Sequence, residues 1–292
     1  MSSRDCYDDR HRSSPKRESL HKKSSQHSKK ASVLCSQCGG KVDENSPEQT
    51  AFKQALEINY PYAMSIEDFV FKTKELLIPY GFLPNVNTMC LLSLCRDEIT
   101  SPFKSVIESI YGASFSCGSL GGMLLCGRTG FAAAHHHVPA DGANLIYYCF
   151  THIGINSKGQ VGSVLRSKTA MKEESTACGA LVAFNTELKK GLLSPVQIDE
   201  DDLEMSMLKK QILKAVPTLS TNSTLWDVTN AAYLAITIEL ENHVIQDSKH
   251  HNKRRYALFT GIQIHGPKGH DFAWIGKSSL IHNGILKNFP LS

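Results

Sequence analysis

The first clear pattern along the chain is a helical spacing of apolar side chains after Ser65. Ser65 and Asp68 have the spacing of a capping box, the arrangement that often begins a helix. Apolar or small side chains then recur three or four residues apart, at Phe69, Val70, Thr73, Leu76 and Leu77. This spacing is typical of an amphipathic helix, which we predict over residues 66–79.

Two continuous apolar runs predict strands that are covered on both faces, as in a parallel sheet. The first run is TMCLLSL at residues 88–94, and the second is NLIYYCF at residues 144–150. Cys95 directly follows the first predicted strand, and His152 lies just past the predicted end of the second. Residues 98–111 then predict the helix that returns from the first strand.

The later part of the chain predicts further helices and one more strand. A glycine-rich segment at residues 117–142 is interpreted as a loop. Residues 175–189 predict a helix with Ser175 or Thr176 near its cap and Cys178 in its first turn, where the positive helix end favours a thiolate. Helices are also predicted at 197–216 and 224–245, and a strand at 254–265.

These elements predict an α/β fold with a mostly parallel central sheet flanked by helices. With 292 residues and 41% hydrophobic content, the chain can bury a substantial core. We place one folded domain at residues 48–292, after a disordered, basic and serine-rich tail at residues 1–47. The tail is too polar to offset the entropy cost of ordering it.

Charge and hydropathy restrict the cellular setting. Residues 1–30 carry a formal charge of +5, and the rest of the chain carries about −1. The tail is therefore interpreted as a solvated segment in preference to a nuclear signal or a nucleic-acid-binding arm. Neither a secretory signal nor a membrane-spanning run is predicted, so we expect a cytoplasmic protein, with organellar import left open.

Nine cysteines without a secretory signal favour reduced thiols or metal ligands over a disulfide framework. Cys35 and Cys38, in CSQCGG, have the spacing of half a zinc knuckle. A structural zinc site needs four ligands, and the sequence has no second C-x-x-C pair. The interpretation without metal is favoured for this pair.

Cys95, His152 and Cys178 are the candidate metal ligands. Each is predicted at the carboxyl end of a strand or the amino end of a helix, where open α/β sheets place their sites. Two thiolates and an imidazole suit zinc, and three protein ligands leave a fourth position for water. From spacing alone, buried thiols and a hydrogen-bonded histidine are the simpler interpretation, and a cysteine hydrolase using Cys178 and His152 is a third.

Asp97 is the candidate catalytic carboxylate because it lies two residues beyond Cys95. It could accept a hydrogen bond from a water at the metal if a cation kept it ionised. Arg96 and Arg166 are the candidate cations, with Arg128 less favoured. Asp97 could also cap the following helix, and the two roles are compatible.

Several motifs, taken in order, resemble the limiting-CO2-inducible protein B family, also called the theta class of carbonic anhydrase. They span roughly residues 50–275 and read LSLCRDEI, GGMLLCGRTGFAAA, HVPADG, THIGI, GSVLRS, STACGAL and FTGIQIHGPKGHDF. The resemblance implies a β-carbonic-anhydrase-like fold, a functional homodimer, and hydration of CO2 to bicarbonate at zinc.

Carried over by motif, the resemblance implies zinc ligands at Cys95, His152 and Cys178, and an Asp–Arg dyad whose acid is Asp97. Whether Arg96 or Arg166 completes the dyad stays open. A family member that handles CO2 or bicarbonate without catalysing hydration is the alternative function. The histidine run 135–137 is interpreted as a surface or loop cluster in preference to a proton relay.

Overall fold

The computed structural model describes residues 47–138, 144–166, 174–192, 197–251, 253–289 and 291, with side chains from residue 50 onward. The predicted tail lies outside the described residues except for Pro47, where the first helix begins. Cys35 and Cys38 also lie outside them. The predicted division into tail and domain therefore stays a prediction.

Nine strands lie in the described part of the chain: β1 (Met64–Ser65), β2 (Thr88–Ser93), β3 (Ser114–Ser116), β4 (Asn144–Gly154), β5 (Ser163–Leu165), β6 (Glu174–Thr176), β7 (Arg255–His265), β8 (Asp271–His282) and β9 (Ile285–Asn288). Seven of them form the central sheet, in the order β1-β8-β7-β4-β2-β3, with β9 also paired to β8. Strands β3, β2, β4 and β7 are parallel, and β8 runs antiparallel to its neighbours. The predicted α/β fold with a mostly parallel central sheet is confirmed.

The helices in the described part of the chain are α1 (Pro47–Asn59), α2 (Ile66–Leu77), α3 (Ser101–Tyr111), α4 (Gly127–His136), α5 (Gly179–Lys189), α6 (Leu203–Ala215) and α7 (Leu225–His250). Helix α2 begins as predicted, because the Ser65 hydroxyl accepts a hydrogen bond from the Asp68 amide at 3.1 Å. A 3-10 turn at Glu98–Thr100 precedes α3, and Gly112, with a φ of 80°, caps the carboxyl end of that helix.

The apolar run of β4 is buried on both faces, because alternate residues point into different clusters of the core. Leu145 and Tyr147 pack in the cluster that includes the buried face of α7. Ile146 and Tyr148 pack in the opposite cluster, with Phe69 of α2 and with α3. The sheet is therefore a central layer between helices.

Several predicted boundaries were wrong. The helix predicted from residue 197 begins only at Leu203, and the helix predicted over 224–245 continues to His250. The segment 117–142 is not all loop, since α4 forms within it where alanines follow the glycines. Residues 174–176 are strand β6, paired to β5, so the helix predicted from residue 175 begins only at Gly179. Among the described residues, none of the helices combines the length and apolar character that a membrane crossing requires.

Candidate metal centre

Cys95 lies in the bend that follows β2, two residues after the strand ends at Ser93. Its side chain is buried, with 8% of its surface exposed. The Thr100 hydroxyl donates a hydrogen bond to the Cys95 carbonyl at 2.9 Å, which ties the bend to the turn before α3. The apolar strand therefore delivers a thiol to its carboxyl end, as predicted.

His152 lies inside β4 and not past its end, which corrects the predicted strand boundary. The strand continues to Gly154 because it pairs in parallel with β7 along its whole length, up to Gly154 opposite His265. Long-range pairing thus extends the strand beyond its apolar run. His152 is buried, with 1% of its surface exposed.

Cys178 occupies the N-cap position at the amino end of α5. The sequence had predicted it one step further on, in the first turn of the helix. Its side chain is also buried, with 1% of its surface exposed. Strand β6 and the bend after it occupy the positions that were predicted to begin the helix. Helix α5 therefore starts later than predicted, and the Cys178 thiol still lies at its amino end.

The three candidate ligands meet at one point. One ligand atom from each of Cys95, His152 and Cys178 lies within 4.8 Å of the other two. The two sulfur atoms are 3.7 Å apart. Residues from three separate segments, up to 83 positions apart, thus form one buried cluster that could hold a metal ion.

The two nitrogens of the His152 ring have different surroundings. Nδ1 is 3.0 Å from Nε2 of His265. Nε2 of His152 is buried and has no hydrogen-bond partner among the described residues. A buried polar atom without a partner is costly, and a metal ion beside two thiols would satisfy it. The donor set therefore fits zinc.

The electrostatics of the thiol pair favour ionisation of Cys95 first. A hydrogen bond from the Cys178 thiol lowers the pKa of Cys95, as does nearby His152. The Gly121 amide also donates to the Cys95 sulfur at 3.3 Å. The pKa of Cys178 is raised by the adjacent Cys95 sulfur and by burial, so the predicted low pKa of Cys178 was wrong. The negative charge on the Cys95 sulfur and burial raise the pKa of Cys178 more than the amide groups at the amino end of α5 lower it.

Asp97 is paired with Arg166. Arg166 Nη1 donates to Asp97 Oδ1 at 2.7 Å, and Nη2 donates to Oδ2 at 2.9 Å. Burial raises the pKa of the Asp97 carboxyl, but Arg166 and nearby His152 bring it down to about 2. The Asp97 carboxylate also accepts from the Ile99 amide at 3.3 Å, so it caps the 3-10 turn as well.

Arg96 points elsewhere. Its Nε donates to Glu204 Oε2 at 3.0 Å, and its Nη2 forms a second bond with the same carboxylate. Glu204 lies in the first turn of α6 and also accepts a hydrogen bond from the Leu120 amide at 3.3 Å. Arg128 is exposed at the start of α4. Of the three candidate arginines, Arg166 is the one that the structure brings to Asp97.

The histidine run does not form one unit. His135 is buried, with Nε2 2.5 Å from the Tyr147 hydroxyl and Nδ1 3.3 Å from Asp247. His136 and His137 are exposed at the end of α4. Both ring nitrogens of His135 are engaged in this separate network. The predicted surface or loop cluster therefore fits the exposed His136 and His137 and is wrong for His135, which is buried in helix α4.

Sequence reasoning missed His265 and Asp271, which extend the cluster from His152. His265 Nδ1 lies 3.0 Å from Asp271 Oδ1. The signal was present, because His265 ends a predicted strand just as Cys95 follows one. The apolar run up to His265 predicted the strand, but no role in the site was predicted for its last residue.

Comparison with known proteins identifies the family and supports the fold. A sequence profile of the family described as limiting CO2-inducible proteins B/C beta carbonic anhydrases matches residues 63–281. The crystal structure of limiting CO2-inducible protein LCIB is 30% identical with a TM-score of 0.66, and the alignment covers 81% of this chain and 98% of that one.

A second solved structure, PtLCIB4, a homolog of LCIB, is 24% identical with a TM-score of 0.71, over 82% of this chain and 100% of that chain. No curated protein sequence matches significantly. The family profile covers most of the chain, and the LCIB structure shares its fold. The chain therefore belongs to the family of limiting CO2-inducible proteins B and C, which has the β-carbonic-anhydrase-like fold.

Proposed function

We propose that this protein catalyses the reversible hydration of CO2 to bicarbonate with zinc held by Cys95, His152 and Cys178. The observation that carries the proposal is the buried Nε2 of His152, which has no hydrogen-bond partner among the described residues, in a cluster with two sulfurs 3.7 Å apart. Family membership supplies the reaction class.

The donor set supports zinc over harder cations. Thiolate and imidazole ligands suit zinc, whereas magnesium and calcium prefer oxygen ligands. Three protein ligands are typical of catalytic zinc, since a structural site uses four. Zinc bound in this way supplies Lewis acidity that activates water at neutral pH.

Asp97 is proposed to orient the attacking water and hold its hydrogen bond. Arg166 keeps the carboxylate ionised at neutral pH, where a carboxylate can only accept hydrogen bonds. Within the described part of the chain, Oδ2 of Asp97 accepts one hydrogen bond, from Arg166, so it retains capacity for another. The bidentate ion pair with Arg166 also fixes the orientation of the Asp97 carboxylate, and with it the direction of the remaining lone pair on Oδ2.

The cysteine hydrolase is the weaker alternative. A nucleophilic cysteine needs a readily formed thiolate, but Cys95 and burial raise the pKa of Cys178. Nδ1 of His152 is 3.0 Å from Nε2 of His265, so this nitrogen is engaged and does not serve as the base for a cysteine nucleophile. A homodimer, a cytoplasmic location and the use of CO2 or bicarbonate as ligands belong to the same proposal and rest on the family resemblance and the sequence.

The experiment is stopped-flow CO2 hydration by zinc-quantified protein, with Cys178→Ala beside Cys149→Ala. Cys149 is equally buried but lies mid-strand in β4, away from the three ligand atoms. We expect Cys178→Ala to lose both zinc and hydration, and Cys149→Ala to keep both. A wild type that holds zinc but leaves the CO2 hydration rate at the buffer value would favour a non-catalytic CO2- or bicarbonate-handling protein.

A further inference from the structure

We propose that His265 and Asp271 are positioning residues that hold the proton of His152 on Nδ1 and so keep the lone pair of Nε2 free for the metal. The inference rests on the proposed metal centre. It assigns a role to two residues that lie behind the ligands and do not contact the metal position themselves.

The three side chains form a row across three adjacent strands. His152 is on β4, His265 on β7 and Asp271 on β8. Asp271 pairs directly with His265 in the β7–β8 register, and His265 lies two positions beyond the residue that pairs with His152. Side chains two positions apart on a strand share a face, so sheet geometry alone brings the three together.

The available donors and acceptors determine in which direction the hydrogen bonds run along this row of side chains. The Asp271 carboxylate can only accept, so His265 must donate from Nδ1 across the 3.0 Å contact. A neutral His265 then has only a lone pair on Nε2. That lone pair can accept from Nδ1–H of His152 across the second 3.0 Å contact. A neutral His152 with its proton on Nδ1 has a free lone pair on Nε2.

The opposite direction is disfavoured by burial. His265 would have to donate from both nitrogens and carry a positive charge, although only 2% of its surface is exposed. Charging a buried imidazole costs free energy. A second donor fixes the far end of the row, because Gln263 Nε2 donates to Asp271 Oδ2 at 2.9 Å. Asp271 is thus held as an acceptor on both of its oxygens.

A purely structural role makes a different prediction. If the row only filled space in the sheet, its loss would change stability and leave zinc affinity unchanged in the folded protein. If it sets the tautomer, its loss would weaken zinc binding even in a variant that folds normally. Partners behind a ligating histidine typically contribute 10- to 100-fold in metal affinity.

The first test measures zinc affinity by chelator competition in His265→Phe, His265→Gln and His270→Phe. Phenylalanine offers no acceptor to His152, whereas the glutamine carbonyl can replace the lone pair of Nε2. His270 is exposed and close in sequence, so it is the matched control. We expect about 10- to 100-fold weaker binding in His265→Phe, partial recovery in His265→Gln and wild-type affinity in His270→Phe.

A second pair of variants keeps the test decisive if His265→Phe does not fold. Asp271→Asn retains a carbonyl acceptor for His265 and should stay close to wild type, while Asp271→Ala should weaken zinc binding. Folding of each variant is checked by circular dichroism. Wild-type zinc affinity in folded His265→Phe or folded Asp271→Ala would overturn the inference.

Nitrogen-15 NMR of the metal-free protein reads the tautomer directly. We expect His152 to carry its proton on Nδ1 in the wild type and in His270→Phe. Finding the proton on Nε2 in the wild type would also overturn the inference. Neither measurement uses CO2, so a protein that binds zinc without hydrating CO2 would refute the proposed reaction and leave this result standing.

Discussion

Arg166 holds Asp97 by both carboxylate oxygens, with N–O distances of 2.7 Å and 2.9 Å, although 69 residues separate the two in the chain. The same Nη1 also bonds Glu98, so one guanidinium fixes two consecutive acids. Arg166 donates to the Thr176 carbonyl as well, at 3.2 Å, which joins β5 and β6 to the turn before α3. The acid beside Cys95 is therefore held in place from a distant segment.

Arg166→Ala should slow CO2 hydration, by on the order of 100-fold in kcat/KM. Without the arginine, the Asp97 carboxylate loses its fixed direction and its pKa rises. Zinc content should be unchanged because Arg166 is not one of the three metal ligands. Stopped-flow assays with zinc quantification check both points.

Arg96→Ala is the discriminating comparison, since Arg96 binds Glu204. We expect its rate to stay within a few-fold of the wild type. Equal losses in the two variants would contradict the assignment of Arg166 as the partner of Asp97.

The Asp97 carboxyl should make stability depend on pH in the acid range. Its pKa in the folded protein, about 2, is below the ordinary value of 3.8, so it stabilises the fold above about pH 4. This contribution is lost as the pH falls towards 2. Between about pH 5 and pH 2.5 the loss is about 1.5 kcal/mol.

Urea unfolding of metal-free, reduced protein at these two pH values measures the effect. Asp97→Asn should show a smaller drop in the free energy of unfolding than the wild type, by about that amount. Glu200→Gln, which removes an exposed acid before α6, should show the wild-type drop. Identical pH dependence in Asp97→Asn and the wild type would argue against the ion pair.

Thiol alkylation should distinguish the metal centre from the cysteine hydrolase. Zinc should protect Cys95 and Cys178 from iodoacetamide until a chelator removes it. In the metal-free protein Cys95 should react first, because it is the more exposed thiol and the one whose pKa is lowered. Peptide mass spectrometry gives the order.

Cys149 serves as the internal reference, since it is buried and its pKa is raised by burial. It should stay slow with and without the chelator. Fast, chelator-independent alkylation of Cys178 alone would support a nucleophilic cysteine and contradict the zinc proposal.

Gly122→Ala should destabilise the protein by about 2–4 kcal/mol. Gly122 has φ of 77°, and a Cβ there would lie 2.3 Å from the Phe150 carbonyl oxygen in β4. The turn that contains it also carries the Gly121 amide to the Cys95 sulfur. Gly127→Ala is the matched control, because φ is 59° there but no atom of the described residues lies within 4 Å of the added Cβ.

The control variant should lose only about 1 kcal/mol, the cost of the left-handed backbone. Urea unfolding of the two variants measures the difference. Equal losses would show that backbone conformation, and not the close approach to β4, determines the requirement for glycine.

Local patterns predicted the parts of the fold that local physics determines. Helix α2 follows its cap and its apolar spacing, and β2 follows its apolar run. The sequence missed α4, because glycines at its start hid its helical part, and it ended β4 early, because pairing with β7 extends the strand past its apolar run.

The candidate site, like the fold, has parts that local sequence predicts and parts that depend on long-range contacts. Cys95, His152 and Cys178 could be selected by residue type and by their positions near element ends. Pairing of Arg166 with Asp97 depends on strands that are far apart in sequence, so the chain alone could not choose between Arg96 and Arg166. The low pKa predicted for Cys178 failed because its neighbour, another thiol 83 residues away, is visible only in the fold.

The most direct test of the account is to titrate metal-free wild-type protein with zinc and to follow CO2 hydration by stopped flow at each step. The account predicts a rate that rises in proportion to bound zinc and stops rising at one zinc per chain. Binding of one zinc per chain with a CO2 hydration rate no faster than buffer would contradict it.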